Sequence, residues 1–206
     1  YGGPAKRTRI VEEFSMALQT GNVSYEVGQP LEYPFNESYN EGGPSVTADN
    51  SQLFFTVCQM SKEGYENCDI YYCKKDEYGY WGSINSVGEH INTPNAWESQ
   101  PSVSADGKYL YFVSNREGGE GGLDLYVCTK KINGEWEAPV NLGKEINTYK
   151  NEKSPFIHSD SETLYFASDG HPTLGGYDIY FSKADIDNLE FGVPTNIGYP
   201  INTKAD

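Results

Sequence analysis

Three aspartates recur at nearly constant spacing: Asp69, Asp124 and Asp178 lie 55 and 54 residues apart. Carboxylates are the groups that glycosidases pair to protonate and attack a glycosidic bond. Catalytic carboxylates must converge on one substrate, whereas a residue that recurs once per repeat is distributed through the fold. We therefore interpret these aspartates as structural positions, each accepting hydrogen bonds from its own turn.

Cysteines offer a second kind of chemistry. Cys58 ends one predicted strand and Cys68 begins the next, so an antiparallel hairpin would bring them within the ~5.5–6 Å Cα separation that a disulfide needs. We expect a bond between them, with two free thiols as the alternative. Cys73 and Cys128 each lie four residues after a recurring aspartate and are expected to be small buried side chains. The chain has no Cys-x-x-Cys spacing, so no structural zinc is predicted.

The histidines and glycine-rich loops predict no catalytic, cofactor-binding or metal residue. His90, His158 and His171 share no pattern with a serine or a cysteine, and the nucleophile motif G-x-S-x-G is missing. One cation option stays open: Asp169 and Asp178 bracket a loop that could place oxygens around Ca²⁺.

The charge of the chain excludes several partners. It carries 30 Asp and Glu against 15 Lys and Arg, a formal net charge of −15. Nucleic acid is not an expected partner, because phosphate binding is driven by basic side chains that release counterions. Anionic membrane surfaces are disfavoured for the same reason. No apolar run approaches the ~20 residues that span a bilayer, so direct membrane insertion is not expected.

The elements that must position these residues form a repeat of about 55 residues. The segments SVTADNSQLFFT, SVSADGKYLYFVS and FIHSDSETLYFAS align, each giving a strand, a turn with Asp and an aromatic strand. A second anchor follows in CDIYY, LDLYV and YDIYF. A third anchor is a single aromatic residue at intervals of 55, which we treat as a structural repeat position: Trp81, Trp136 and Phe191.

Each repeat contains four predicted strands, separated by turn signals such as Asp-Gly in ADGK and Asn-Gly in INGE. One four-stranded unit cannot bury both of its faces, so it must stack against neighbours around an axis. The sequence therefore predicts an all-β fold, a β-propeller segment of four-stranded antiparallel blades.

The amino-terminal segment fits the same pattern when it is shifted by 56 residues, which places Asn36 on Asn92. EEFSMAL is then predicted as the third strand of a blade and VSYEV as the start of its fourth. We predict a single β-propeller region over residues 1–206, with the outer half of a blade at 1–40 and blades at 41–97, 98–151 and 152–206. PINTKAD would lead toward a further blade.

Several segments together resemble a known family: NEGGPSVTADN, ENCDIYY, WESQPSVSADGKYLYFVSNR, GGLDLYV, NEKSPFIHSDSETLYFASDGHPTLGGYDIYF and NIGYPINT. They are similar to the TolB-type, WD-like propeller repeats of OmpA-family periplasmic proteins of Bacteroidota. One group in that family resembles the peptidoglycan-associated lipoprotein of type IX secretion. The resemblance implies a periplasmic, outer-membrane-associated location, and it implies peptidoglycan binding only through a domain that this chain does not contain.

We therefore predict a scaffold without catalytic activity whose loops bind envelope proteins, with type IX secretion as a candidate setting and without a cofactor. The alternative is a carbohydrate-binding or glycoside-cleaving propeller. Convergent carboxylates about 5–10 Å apart on the axial surface would favour hydrolysis. A flat, polar ring would favour protein binding.

Overall fold

The computed structural model describes residues 12–37, 40–60, 66–185 and 189–204. Strands are the only regular secondary structure among these residues, and turns and loops connect them. Among them there is no helix long and apolar enough to cross a membrane. The amino-terminal strands are β1 (Ser15–Met16), β2 (Gln19–Gly21), β3 (Ser24–Tyr25) and β4 (Gln29–Pro30). The others are β5 (Asn40–Val46), β6 (Gln52–Met60), β7 (Glu66–Lys74), β8 (Asn85–Ser86), β9 (Glu98–Val103), β10 (Tyr109–Ser114), β11 (Asp124–Thr129), β12 (Val140–Asn141), β13 (Glu152–Ile157), β14 (Thr163–Ser168), β15 (Asp178–Asp185), β16 (Glu190–Phe191) and β17 (Thr195–Asn196).

Three antiparallel sheets make up most of the fold. The first sheet has the order β5-β6-β7-β8, and the second sheet has the order β9-β10-β11-β12. The third sheet has the order β13-β14-β15, after which β15 pairs with both β16 and β17. Each sheet is thus built on a meander in which sequence neighbours pair, and β17 joins the third sheet by pairing with β15. The predicted fold class, an all-β propeller segment of four-stranded antiparallel sheets, is confirmed.

Strand alternation gives each central strand two apolar faces. In β10, Leu110 and Phe112 pack in the cluster shared with the first sheet, whereas Tyr111 and Val113 pack in the cluster shared with the third. All four side chains are fully buried. The second sheet is therefore covered on both sides, as stacking around an axis requires.

Three apolar clusters hold successive units together. The amino-terminal segment packs on the first sheet through Phe14, Phe35, Leu53, Phe55 and Val57. The first and second sheets meet through Phe54, Ile70, Leu110, Phe112, Tyr126 and Trp136. The second and third meet through Tyr111, Leu125, Val127, Leu164, Phe166 and Phe191. The first and second sheets thus each use one strand face for the preceding unit and the other for the following one.

The first strands of the three sheets, β5, β9 and β13, lie next to one another. Two serines link them: the Oγ of Ser45 accepts a hydrogen bond from the backbone N–H of Val103 at 2.9 Å, and the Oγ of Ser102 accepts one from Ile157 at 3.0 Å. Phe156 occupies the equivalent position in β13. The serines therefore fix the offset between neighbouring sheets at two successive steps.

The amino-terminal segment differs from its predicted strands. β1 pairs with β4 and β2 pairs with β3, so EEFSMAL and VSYEV contribute pairings of two or three residues instead of two long strands. Gly21, Gly28 and Pro30 interrupt the segment, and these residue types shorten strands. Residues 1–11 and 205–206, which belong to the predicted half blade and to PINTKAD, lie outside the described residues. The unit boundaries after residues 40, 97 and 151 stay a prediction.

Candidate functional site

Two of the recurring aspartates close glycine-rich loops. Asp124 accepts hydrogen bonds from the backbone N–H groups of Glu120 and Gly121 and, at 2.9 Å, from the side-chain amide of Asn141. Asp178 accepts the N–H of Leu174 at 2.6 Å and the amide of Asn196 at 2.9 Å on one oxygen, and its other, buried oxygen has no hydrogen-bond partner among the described residues. Both aspartates are buried and each serves its own loop.

Asp69 differs from its two counterparts. Ser86 stands where Asn141 and Asn196 stand. Like them it accepts a bond from the asparagine six residues later, but it does not donate one to the aspartate as they do. Among the described residues, the hydrogen bond that Asp69 accepts comes from the amide of Asn67 at 3.3 Å. Burial, and secondly the charge of Glu98, raises the pKa of Asp69 above its ordinary value.

Asp69 also lines a surface depression that contains a second carboxylate. This depression has a volume of about 480 Å³ and is formed with Glu89, Asn92 and Thr93. A carboxyl group with a raised pKa can act as a general acid, and a nearby exposed carboxylate can act as its counterpart. Asp69 and Glu89 are therefore candidate groups for acid–base chemistry, although sequence repetition alone places Asp69 with the structural aspartates.

The four cysteines fall into two groups. Cys58 and Cys68 are opposite each other in the β6–β7 pairing and form a disulfide. Cys73 and Cys128 are buried free thiols. Burial raises the pKa of the Cys73 thiol to about 11 and that of Cys128 to about 12. Both thiols stay protonated at neutral pH and are poor nucleophiles.

The recurring aromatic residues face the preceding unit in each case. The Trp81 ring lies 5.8 Å from the Phe35 ring, the Trp136 ring lies 5.9 Å from that of Phe54, and the Phe191 ring lies 6.1 Å from that of Tyr111. Edge-to-face pairs of this kind add to the apolar contact between sheets. Trp136 and Phe191 also line pockets at these contacts.

The histidines and the proposed cation loop have local partners. His158 is 3.2 Å from Asp160, and a ring nitrogen of His171 lies 2.9 Å from the carbonyl oxygen of Ile146. Asp169 accepts a bond from the N–H of Asn151 at 3.0 Å. In the described ranges, no group of three or more His, Cys, Asp or Glu side chains is arranged to hold a metal ion.

The axial surface is a groove of about 320 Å³ between the first strands of the three sheets. It is lined by Pro44, Ser45, Val46, Ala48, Pro101, Ser102, Val103, Ala105, Pro155, Phe156, Ile157 and Ser159. These residues are prolines, small residues and apolar side chains, and none of the residues named carries a charge. The groove is therefore neither a carboxylate pocket nor a flat polar ring.

A pocket between the first and second sheets, the inter-sheet pocket, combines aromatic and polar side chains. It has a volume of about 310 Å³ and is lined by Gln52, Phe54, Tyr72, Lys74, Ser86, Val87, Gly88, His90, Lys130, Lys131, Gly134, Glu135 and Trp136. Its floor is made by Phe54, Tyr72 and Trp136, and its rim carries hydrogen-bonding groups. An apolar floor with a few polar groups is typical of small-molecule sites, and the volume lies at the lower end of their range of about 300–1,000 Å³.

The lysines of this pocket are not among the residues predicted from the sequence. A signal was present, because Lys74 and Lys75 follow the strand of the second anchor in one repeat, and Lys130 and Lys131 follow it in the next. Lys75 lies over Trp81 at 4.6 Å from the ring centroid, and Lys130 lies over Trp136 at 5.2 Å. The lysine pairs therefore recur together with the aromatic anchor.

No protein-family model and no curated protein sequence matches this chain. Solved structures do match it. A thermostable family-43 glycoside hydrolase is 18% identical, with a TM-score of 0.57 over 94% of this chain and 67% of its own. The alpha-L-arabinofuranosidase from Lactobacillus brevis is 13% identical, with a TM-score of 0.53 over 82% of this chain and 60% of its own. The tricorn protease is 13% identical, with a TM-score of 0.50 over 88% of this chain and 20% of its own.

At these identities the likeness concerns the fold, and this chain spans about two thirds or less of each matched protein. The matches nevertheless correct three predictions. The resemblance to TolB-type repeats of OmpA-family proteins, with its type IX secretion setting, is wrong, because this fold is shared with the family-43 glycoside hydrolase and the alpha-L-arabinofuranosidase and not with proteins of that family. The predictions of a scaffold without catalytic activity and of a protein that is not an enzyme are wrong for the same reason.

The physical reason for the error lies in what the resembling motifs do. Asp124 and Asp178 in GGLDLYV and GGYDIYF close loops, and Ser102 in PSVSADG links neighbouring sheets. These motifs encode how a blade is built. One fold hosts many functions, so motifs of this kind do not identify a family.

Proposed function

We propose that this chain is the carbohydrate-recognising propeller of a glycoside-acting protein. The inter-sheet pocket is the observation that carries the proposal. A sugar ring has apolar C–H faces that pack on aromatic rings and hydroxyl groups that exchange hydrogen bonds with polar side chains. Tyr72 and Trp136 supply aromatic surface, and Gln52 supplies an amide at the rim. The fold shared with proteins named as glycoside hydrolases supports the same class of ligand.

Binding to a panel of soluble oligosaccharides tests this proposal. We expect at least one oligosaccharide to bind, and we expect Tyr72→Ala to weaken its affinity about tenfold, because the ring offers the half-buried aromatic surface of the pocket. Isothermal titration calorimetry measures both affinities. The control is Tyr149→Ala, which removes an aromatic ring that is 77% exposed and lies outside the pocket. Equal losses in the two variants, or no binding at all, would contradict the proposal.

Glycoside cleavage is a second candidate function, favoured by the depression that holds Asp69 and Glu89. Asp69 would protonate the leaving oxygen, because its raised pKa keeps the carboxyl protonated to a higher pH than a free aspartic acid. Glu89 would act as the carboxylate that activates water or attacks the sugar. The activity of a general acid falls as the pH rises through its pKa, so the alkaline limb of the rate profile should follow Asp69.

Release of a coloured leaving group from aryl glycosides, including an aryl α-L-arabinofuranoside, measures this activity. We expect Asp69→Asn to lower the rate by at least 100-fold, the lower end of what general acid catalysis contributes, which is about 10²–10⁴-fold. Glu117→Gln is the control, because Glu117 is exposed on the loop that precedes Asp124. A rate that survives in Asp69→Asn with an unchanged pH profile would rule out this role for Asp69.

We place this activity in an oxidising compartment, the periplasm. The disulfide between Cys58 and Cys68 supports this location, because disulfides persist in oxidising compartments and are rare in the cytosol.

A further inference from the structure

Two lysines from different sheets converge on the inter-sheet pocket. Lys74 is the last residue of β7 in the first sheet, and Lys130 follows β11 of the second sheet. The Nζ atom of Lys74 lies 5.5 Å from the centroid of the Tyr72 ring. The Nζ atom of Lys130 lies 5.2 Å from the centroid of Trp136 and 3.4 Å from the amide oxygen of Gln52. Aromatic faces and an amide therefore hold both ammonium groups at the pocket.

Neither lysine is neutralised by a carboxylate. Within the described part of the chain, no ion pair with an N···O distance of 4.0 Å or less involves Lys74 or Lys130. The pocket does contain one carboxylate, Glu135, but its oxygen accepts a hydrogen bond from the side chain of Asn133 at 2.9 Å. In a chain with 30 acidic and 15 basic residues, two converging lysines without a carboxylate partner are unexpected on charge statistics.

The charges around Lys130 are unfavourable without a ligand. Burial, and secondly repulsion from Lys74, lowers the pKa of Lys130. The other titratable groups that line the pocket are Tyr72, His90, Lys131 and Glu135, and three lysines against one carboxylate make the balance of charge positive. An anionic group between the two ammonium groups would offset their repulsion and would accept charge-assisted hydrogen bonds from both.

We propose that the inter-sheet pocket binds an acidic sugar, one whose ring carries a carboxylate or a sulfate. Lys74 and Lys130 hold the anionic substituent, and Tyr72 and Trp136 pack against the ring. The proposal rests on the carbohydrate recognition proposed above and names its ligand class. It predicts that affinity falls as the salt concentration rises, because exposed charge pairs are screened.

Calorimetric titration of the whole chain tests the proposal with four ligands: a uronic-acid oligosaccharide, a sulfated oligosaccharide, a neutral oligosaccharide of the same linkage, and inorganic sulfate. We expect at least one acidic oligosaccharide to bind at least tenfold more tightly than the neutral one. We expect Lys74→Gln and Lys130→Gln each to remove about tenfold of that affinity. Lys144→Gln, a change at a lysine whose side chain is 84% exposed and lies outside the pocket, should leave it unchanged.

The outcomes distinguish failure of the acidic-sugar inference from failure of carbohydrate recognition. Equal affinity for neutral and acidic oligosaccharides would overturn the acidic-sugar inference and leave carbohydrate recognition in place. Sulfate binding as tight as that of the acidic oligosaccharides would overturn the role of the sugar ring. Absence of binding by every oligosaccharide would overturn both proposals. Melting temperatures of the variants separate a lost contact from a lost fold, and Lys74, whose side chain is exposed, is the safer substitution.

Discussion

Replacing Glu98 with alanine is expected to lower the free energy of unfolding by about 3–5 kcal/mol, because it leaves a partly buried guanidinium without its carboxylate. Glu98 is fully buried at the start of the second sheet. It accepts hydrogen bonds from the N–H of Thr93 at 2.9 Å, from the Oγ of Ser114 at 2.9 Å and from Arg116 at 3.2 Å. The carboxylate therefore ties the incoming loop to β9 and β10.

Urea denaturation followed by tryptophan fluorescence measures this loss. Glu98→Gln keeps an acceptor oxygen but loses the charge, so it should fall between the wild type and Glu98→Ala. Glu137→Ala removes an exposed carboxylate of the same sheet and should change the stability by less than about 0.5 kcal/mol. The proposed role of Glu98 is refuted if its alanine variant is as stable as Glu137→Ala.

Replacing Asn147 with leucine is expected to cost about 1–3 kcal/mol of unfolding free energy, because the buried N–H of Leu125 loses its partner, whereas the carbonyl of Leu125 keeps the N–H of Leu142 at 3.0 Å. The side-chain oxygen of Asn147 accepts from the N–H of Leu125 at 2.8 Å, and its amide donates to the carbonyl of Leu125 at 3.0 Å. Asn147 is buried. A leucine side chain can make neither bond.

Hydrogen exchange adds a local readout to the denaturation experiment. The Leu125 amide should lose protection in Asn147→Leu and should keep most of it in Asn147→Asp, which retains the acceptor oxygen. Asn95→Leu provides the control at an exposed asparagine of the loop before the second sheet. Unchanged protection at Leu125 in the leucine variant would exclude the proposed role of the Asn147 side chain in holding the Leu125 backbone.

The repeat made the fold predictable, because a blade is built from residues that recur. Asn36, aligned with Asn92 on spacing alone, does the same work in the structure: it accepts from the N–H of Phe14 at 2.7 Å, and Asn92 accepts from the N–H of Ile70 at 2.9 Å. The buried glutamates Glu41, Glu98 and Glu152 recur as well. They lie inside the motifs quoted for the family resemblance. Their recurrence, once per repeat, would have allowed these buried glutamates to be predicted from the sequence.

The candidate pocket could not be predicted in this way, because it depends on where repeats differ. Tyr72 and Trp136 line the groove between the first and second sheets, whereas Val127 and Phe191 occupy the corresponding positions between the second and third. Spacing shows that the positions are equivalent. It does not show which groove combines two aromatic rings with lysines, because that combination depends on side chains that two different sheets contribute.

The serine links between sheets also couple the stability of neighbouring sheets. Stacked units behave as a one-dimensional array whose stability is a sum of unit terms and nearest-neighbour coupling terms. Ser45 and Ser102 each supply such a coupling term by accepting the amide of the following sheet. Phe156 has no hydroxyl to offer at the corresponding place. Serine hydrogen bonds thus couple the first sheet to the second and the second to the third. Within the described residues, the second sheet is the only one that is coupled by serine on both sides.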